Sequence, residues 1–467
     1  MPKRKAPSRK KTLAETDKNV DSTDSAVAVP PEPAPPPTKK TRVERAKNPK
    51  SATNTVIAEA ETTSDNPPQL DDGQVAGHVM TFGQGDCGQL GLGEDMTERK
   101  KPYPVTGLLE GLKIRQIKCG GMHTVVLTDD GKVFTWGCND EGALGRVVED
   151  EFSPGQVNEL SSKIVQMSAG DSHTAALDDQ GRVYCWGIFR DSNGAFGLTS
   201  AGPSPRPQLV YEQSSNKATK VASGANHVVI LTEQQDLYTF GTAEQGQLGR
   251  VSEHFSVRGG RKGIKLLLTP AAVRFKKIRG SETKFCDVFC GSYNTFAVTK
   301  DQKTVYAFGL NNYGQLGVGD IAIRYAPQQF KFIPQVDSLS QAISNGQFKI
   351  SGDQHHTVMT IGGKVYVMGR SEYGRLGLGE NATDKVLPTE VPNISSVHTV
   401  ATGSSTSFAI TNNGQLYSWG MGDTLQLGNG EETDVWAPQI VTGKKLEHKK
   451  VLSVSAGGQH TAIIVTP

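Results

Sequence analysis

The feature that most constrains this chain is a glycine-closed repeat that is incomplete at both ends in complementary ways. Each copy runs Gly, a His two or three residues on, an apolar run, a polar turn, and a second apolar run that ends in Gly, as in GDSHTAALDDQGRVYCWG at residues 170–187. The closing glycines are Gly83, Gly137, Gly187, Gly241, Gly309, Gly369 and Gly420, spaced by 54, 50, 54, 68, 60 and 51 residues. β-Branched and alternating runs such as HTVVLT and KVFTWG, split by turn residues, predict an antiparallel meander in every copy. The last copy (residues 451–465) is a first half alone, and the first (residues 78–93) is a second half alone. One shared blade would close a ring and leave no long sheet edge exposed. The expectation is an all-β chain, a seven-bladed β-propeller over residues 75–467 closed by its N- and C-terminal strands.

A short signature follows most copies: Gly88-Gln89-Leu90-Gly91, Gly142-Ala143-Leu144-Gly145, Gly246-Gln247-Leu248-Gly249, Gly314-Gln315-Leu316-Gly317, Gly374-Arg375-Leu376-Gly377 and Leu425-Gln426-Leu427-Gly428. Its glycines suit tight turns with positive φ, and its Leu would pack between blades. The repeat His reads His123, His173, His227, Asn294, His355, Thr406 and His460, preceded by the more variable Met122, Ser172, Asn226, Gln354 and Gln459. Recurrent polar residues near a ring's centre tie blade to blade. Variation at one fixed station is what a binding face produces.

Residues 1–74 differ in kind. They carry eleven of the chain's 24 prolines and no aromatic residue, so they cannot bury a core and are expected to form a disordered arm. All of the chain's +2 net charge resides there. Two basic clusters, Lys3, Arg4, Lys5, Arg9, Lys10, Lys11 and then Lys39, Lys40, Arg42, read as a nuclear import signal that also contacts DNA phosphates. No long apolar stretch or secretory leader is present, and the expectation is a soluble intracellular chain with no membrane contact. The six cysteines show no metal-ligand pairing and are expected to be reduced; no metal or cofactor is expected. No P-loop, zinc-protease or nucleophile-elbow pattern occurs, which argues against covalent chemistry.

Two copies depart from the repeat. In the third, residues 188–197 (IFRDSNGAFG) carry extra residues that read as a hairpin with Asn193-Gly194 at its tip. Between Gly241 and Gly309 lies an insertion, and residues 250–284 hold ten basic residues against two acidic. A Gly-flanked Arg on such a loop can enter an acidic pocket and pair bidentately, which favours Arg261, with Arg258 and Lys262 beside it.

The runs GQGD (residues 83–86), CNDEGALGR (138–146), SAGDSHTAAL (168–177), FRDSNG (189–194), EQGQLGR (244–250) and EYGRLGLGE (372–380) resemble the regulator of chromosome condensation family, the chromatin-bound guanine nucleotide exchange factors of the small GTPase Ran. The resemblance covers the whole repeat region. It implies a wedge made of Phe189, Arg190, Asp191, Ser192, Asn193 and Gly194 that presses on the GTPase beside its P-loop. It further implies a GTPase-binding and exchange face with Asp86, Asp171, Asn226, His355, His460 and Arg250, where Asn226 stands in place of a family carboxylate. It places a nucleosome-anchoring loop, on the acidic histone patch, at Arg258, Arg261 and Lys262. A nuclear, chromatin-associated protein carried in by an import receptor follows from it. Two other readings remain: a propeller scaffold on chromatin without exchange activity, and an ultraviolet photoreceptor, which would need clustered tryptophans where this chain has Trp136, Trp186, Trp419 and Trp436.

Overall fold

The computed structural model describes residues 77–258, 263–275, 282–330 and 339–467. The basic clusters at residues 3–11 and 39–42, together with Arg261 and Lys262, lie outside the described residues, and Arg258 is the last described position of a short helix, Glu253–Arg258. The strands form seven four-stranded sheets and one two-stranded hairpin. Blades 1 to 7 begin with Ile114–Cys119, Ile164–Ala169, Ala218–Ser223, Phe285–Cys290, Phe348–Gly352, Val397–Thr402 and Val451–Ala456. Each first strand touches its counterpart in the next blade, and that of blade 7 touches blade 1, so the ring closes. Blade 7 is the shared one: His78–Gln84 pairs with Glu98–Pro104 on one side and His460–Val465 on the other. The complementary broken repeats are thus one sheet.

The second strand of every blade is buried along its whole length, HTVVLT at His123–Thr128 being typical. Sheets stacked on both faces leave an interior strand no wet side, so plain alternation gives way to continuous apolar runs. Apolar clusters accordingly sit between neighbouring blades, as where Val228 and Phe240 of blade 3 meet Phe189 and Leu198 beside blade 2.

The signature works at these seams. Its Leu is buried in each of the six copies, at Leu90, Leu144, Leu248, Leu316, Leu376 and Leu427. The carbonyl just before that Leu accepts a hydroxyl from the next blade: Thr124 to Gln89, Thr174 to Ala143, Thr295 to Gln247, Thr357 to Gln315, Ser407 to Arg375 and Thr461 to Gln426, all at 2.8–3.0 Å. The indoles of Trp136, Trp186 and Trp419 donate to three of the same carbonyls. The final Gly has φ near +65°, and a side chain of the next blade lies directly on it, an aromatic ring in five copies and the Met368 sulfur at Gly317; at Gly145 (φ +68°) an added Cβ would come within 2.6 Å of Trp186 Nε1. Gly145→Ala should therefore cost about 3 kcal/mol, the left-handed backbone and the clash adding. Gly93→Ala, also at positive φ but with nothing within 4 Å, should cost only about 1–2 kcal/mol. Urea unfolding of both variants checks the difference.

The ring histidines complete the ties. His123 Nε2 meets Thr174 Oγ1, His227 meets Thr295 Oγ1, His356 meets Ser407 Oγ and His460 meets Thr124 Oγ1, at 2.9–3.0 Å. Each hydroxyl spends its one proton on the signature carbonyl, so the imidazole must be the donor through Nε2–H. Burial pushes His123 down to about 4 and His227, His356 and His460 to about 3, which keeps them neutral. The sequence expectation is corrected in blade 5, where His356 is the buried repeat residue, paired with Gly369, and His355 takes the variable position before it. The adjacent histidines and the Asp353 that replaces the usual Gly shift that alignment by one.

Candidate functional site

The turn before each ring His and the loop after each third strand lie at the same end of the ring. Gly137 pairs with His123, and Cys138 N donates to Met122 O. Around this mouth the turns bond to one another: Gly121 N to Asp171 O, Asp171 N to Ala225 O, Ala225 N to Ser292 O, and Gly458 N back to Gly121 O. A polar channel of about 280 Å³ opens between the first strands, with Lys118, Gln166, Lys220 and Lys349 among its lining residues. Lys220 is neutralised by Asp287 at 2.6 Å.

The departure at residues 188–197 is a hairpin of Phe189–Asp191 and Gly194–Gly197. Asp191 pairs with Gly194, so the two-residue tip is Ser192-Asn193, one position earlier than the sequence suggested. Phe189 is no surface residue. It is fully buried, edge-on to His173 at 4.7 Å and to Phe240 at 5.8 Å. This aromatic root replaces the polar tie of the other seams, because blade 3 has Val228 where its neighbours have Thr, and His173 makes no hydrogen bond through either ring nitrogen.

Beyond the root, the hairpin is braced by its neighbours. Arg190 N donates to Asn226 Oδ1 at 2.7 Å, while its guanidinium pairs with Glu141 of blade 1 at 3.0 Å. Glu244 of blade 3 accepts from Ser192 N at 2.9 Å and from Ser192 Oγ at 2.6 Å. Asp191 Oδ1 accepts Asn193 N, setting the tip. Asn226, expected as a contact to a partner, is 4 % exposed and acts as a strut beneath the hairpin. Glu141 and Glu244 were not singled out from sequence; both occupy ordinary positions of the loop before the signature.

Asp171 sits at the mouth beside this hairpin, its side chain exposed yet flanked closely enough that desolvation raises its pKa, with Arg190 opposing. A carboxylate so poorly solvated gains from a partner cation. Asp86 is exposed on the loop of blade 7, and His355 is half-buried, its ring 5.5 Å from Tyr313. His460 is fully buried as a blade tie. Arg250 is likewise committed inside the protein. Its Nε donates to Thr239 and its Nη2 to the carbonyls of Leu266 and Thr269, which fastens the insertion helix Ile264–Leu268 as Arg146 fastens its own blade to Thr135. The four tryptophans do not cluster as a light-absorbing group; three are seam ties in three different blades. Among the described residues no three His, Cys, Asp or Glu side chains gather as a metal-ligand set, and no helix is long and apolar enough to cross a membrane.

The model of the RCC1-like domain matches residues 78–463, which defines the class of propeller. The chain is 51% identical to the regulator of chromosome condensation of Xenopus laevis, over 84% of this chain and 91% of that one. It is 29% identical to the guanine nucleotide exchange factor SRM1 of Saccharomyces cerevisiae, over 82% and 86%. The solved structure of Prp20p from Saccharomyces cerevisiae, reported with its binding properties to Gsp1p and histones, matches with a TM-score of 0.74 at 28% identity, over 84% of this chain and 92% of that one. A structure of Kap60 bound to the yeast protein gives 0.74 at 27% identity, over 91% and 96%. The chain belongs to the regulator of chromosome condensation family.

Proposed function

We propose that this chain is a guanine nucleotide exchange factor for the small GTPase Ran, acting on chromatin in the nucleus. The braced hairpin beside Asp171 at the mouth carries the reading. A GTPase holds its nucleotide's phosphates with a P-loop Lys and Mg²⁺, and an emptied site leaves that Lys without its partner. The hairpin, fixed before any partner arrives, pushes where the phosphates are held. A carboxylate, Asp171 with Asp86 in support, compensates the cation that remains. No covalent bond is made or broken. The propeller binds the empty GTPase more tightly than the loaded one, and reciprocity makes bound propeller weaken nucleotide affinity by the same factor. Loading with GTP then follows from its excess over GDP.

Chromatin tethering rests on Arg261 with Arg258 and Lys262 at the histone acidic patch, and on the basic tail clusters at DNA phosphates. The same clusters suit an import receptor, as the Kap60 complex of the yeast relative supports. The scaffold reading drew on the missing carboxylate at Asn226, and that position is occupied with holding Arg190.

Release of a fluorescent guanine nucleotide from Ran tests the proposal. Catalytic amounts of the wild-type chain should accelerate release, and Arg190→Ala and Asp171→Ala should each slow it by about tenfold, the loss of one charge-assisted contact. Asn226→Asp keeps an acceptor for Arg190 N and should exchange at least as fast as wild type. Release at the intrinsic rate with the wild-type chain would return the protein to the scaffold reading.

A further inference from the structure

In four blades the signature Gln folds back onto its own turn. Gln89 Oε1 accepts from Cys87 N, Gln247 from Gln245 N, Gln315 from Tyr313 N and Gln426 from Thr424 N, at 2.8–3.0 Å. Blade 5 has Arg375 at this position, which can accept nothing. The neighbouring residue differs as well. Tyr373, the residue whose N–H would have been capped, adopts φ +58°, whereas its counterparts Cys87, Gln245, Tyr313 and Thr424 do not enter the left-handed region. The residue is 41% exposed, and its ring centroid lies 5.3 Å from the guanidinium.

Arg375 itself is 2% exposed. Its Nη2 donates to Ser405 Oγ at 3.1 Å, while Nε and Nη1 have no hydrogen-bond partner. Neither nearby carboxylate serves as its counter-ion. Glu372 pairs with Arg370. Asp353 is buried, accepts from Ser292 Oγ, and is pushed up to about 7 by burial, so near neutrality it holds only part of a charge. A satisfied turn has thus been exchanged for a half-satisfied buried cation and a strained tyrosine. Local rules broken together without an internal compensation mark a functional position.

We propose that the Tyr373–Arg375 corner, on the mouth beside His355 and Ser405, receives an acidic side chain of the bound GTPase. The exposed ring of Tyr373 swings aside, and the carboxylate takes the free guanidinium N–H groups and the counter-charge that blade 5 lacks. This rests on the exchange-factor reading. It would place a cation-bearing point on the mouth opposite the Asp171 side and so orient the partner.

The test measures binding of nucleotide-free Ran to the full chain at low and high salt, alongside thermal unfolding, for wild type, Arg375→Gln and Arg375→Lys. Gln is the repeat's own residue and restores the turn cap. Arg375→Gln should unfold at the same temperature or higher, bind about tenfold more weakly (about 1.4 kcal/mol) and show a shallower salt dependence; Arg375→Lys should fall between. Unchanged affinity in Arg375→Gln overturns the inference, as does a loss of thermal stability that accounts for the weaker binding. If wild type itself fails to hold nucleotide-free Ran, the exchange reading is what fails.

Discussion

With Asn226 and Glu244 both replaced by alanine, catalysed nucleotide release from Ran should fall about a hundredfold, the penalty typical of a misplaced positioning element, while the chain unfolds at nearly the wild-type temperature. The hairpin of residues 189–197 is too short to hold its shape alone, since an isolated two-stranded hairpin is marginal in water. Its root is secured by Phe189 against His173 and Phe240. Its outer part depends on Asn226 Oδ1 and on both oxygens of Glu244. Neither residue belongs to the hydroxyl-to-carbonyl ties that hold the blades together, so their loss frees the hairpin and spares the ring. Amide hydrogen exchange should quicken at residues 190–195 and nowhere in the second strands. A cycle of Ser192→Ala with Glu244→Ala should be non-additive in exchange rate, because both remove the bond from Ser192 Oγ to Glu244. Additive losses, or a lowered unfolding temperature, would mean that Glu244 acts elsewhere.

The ring was legible because the repeat's two broken ends complement each other, a signal carried by spacing and independent of any single side chain. Blade number, closure and the buried Leu of each signature follow from it. The seam chemistry was not, since the atom that receives Thr124, Thr174 or Ser407 is a backbone carbonyl, invisible in a residue pattern. Side-chain direction was equally hidden. Arg250 and Arg146 look like exposed basic residues at a loop's end, and both turn inward to fasten backbone oxygens. Asn226 read as a weakened acid on a binding face, and lies under the hairpin as an acceptor for Arg190. The one-residue slip at His355 and His356 arose where two histidines and a Gly-to-Asp change coincide, so the pattern offered two registers and only strand pairing separates them. The hairpin was readable as extra residues after Trp186, but its bracing by Glu141 and Glu244 comes from blades on either side and has no local trace.

The same ring makes the fold acid-labile. His123, His173, His227, His356 and His460 are buried, and burial lowers their pKa values to about 4 for His123 and about 3 for the other four, against an ordinary 6.5. Their neutral forms are the folded forms. Stability is therefore complete above pH 6.5 and is lost as pH falls towards the folded values, because the unfolded chain takes up five protons that the ring refuses. Asp353 opposes this: its carboxyl is raised to about 7 from 3.8, so the folded state gains a proton over the same window. For these six groups, five protons against one leave a net slope of about 5.5 kcal/mol per pH unit, at about 1.4 kcal/mol for each. A domain stability of about 5–15 kcal/mol is then exhausted within a few units, and urea titrations should show the midpoint collapsing between pH 6 and pH 4. His227→Asn should flatten that slope by about one proton, or about 1.4 kcal/mol per pH unit. Blade 4 already carries Asn294 at the equivalent position, where its Nδ2 donates to Leu310 O at 2.7 Å, so the amide fits the ring. Asp353→Asn should steepen the slope by the same amount, since it removes a carboxyl that gains a proton on folding. A stability that stays level from pH 7 to pH 5 would mean that the ring histidines take up protons in the folded protein as readily as in the unfolded chain, and that burial does not keep them neutral.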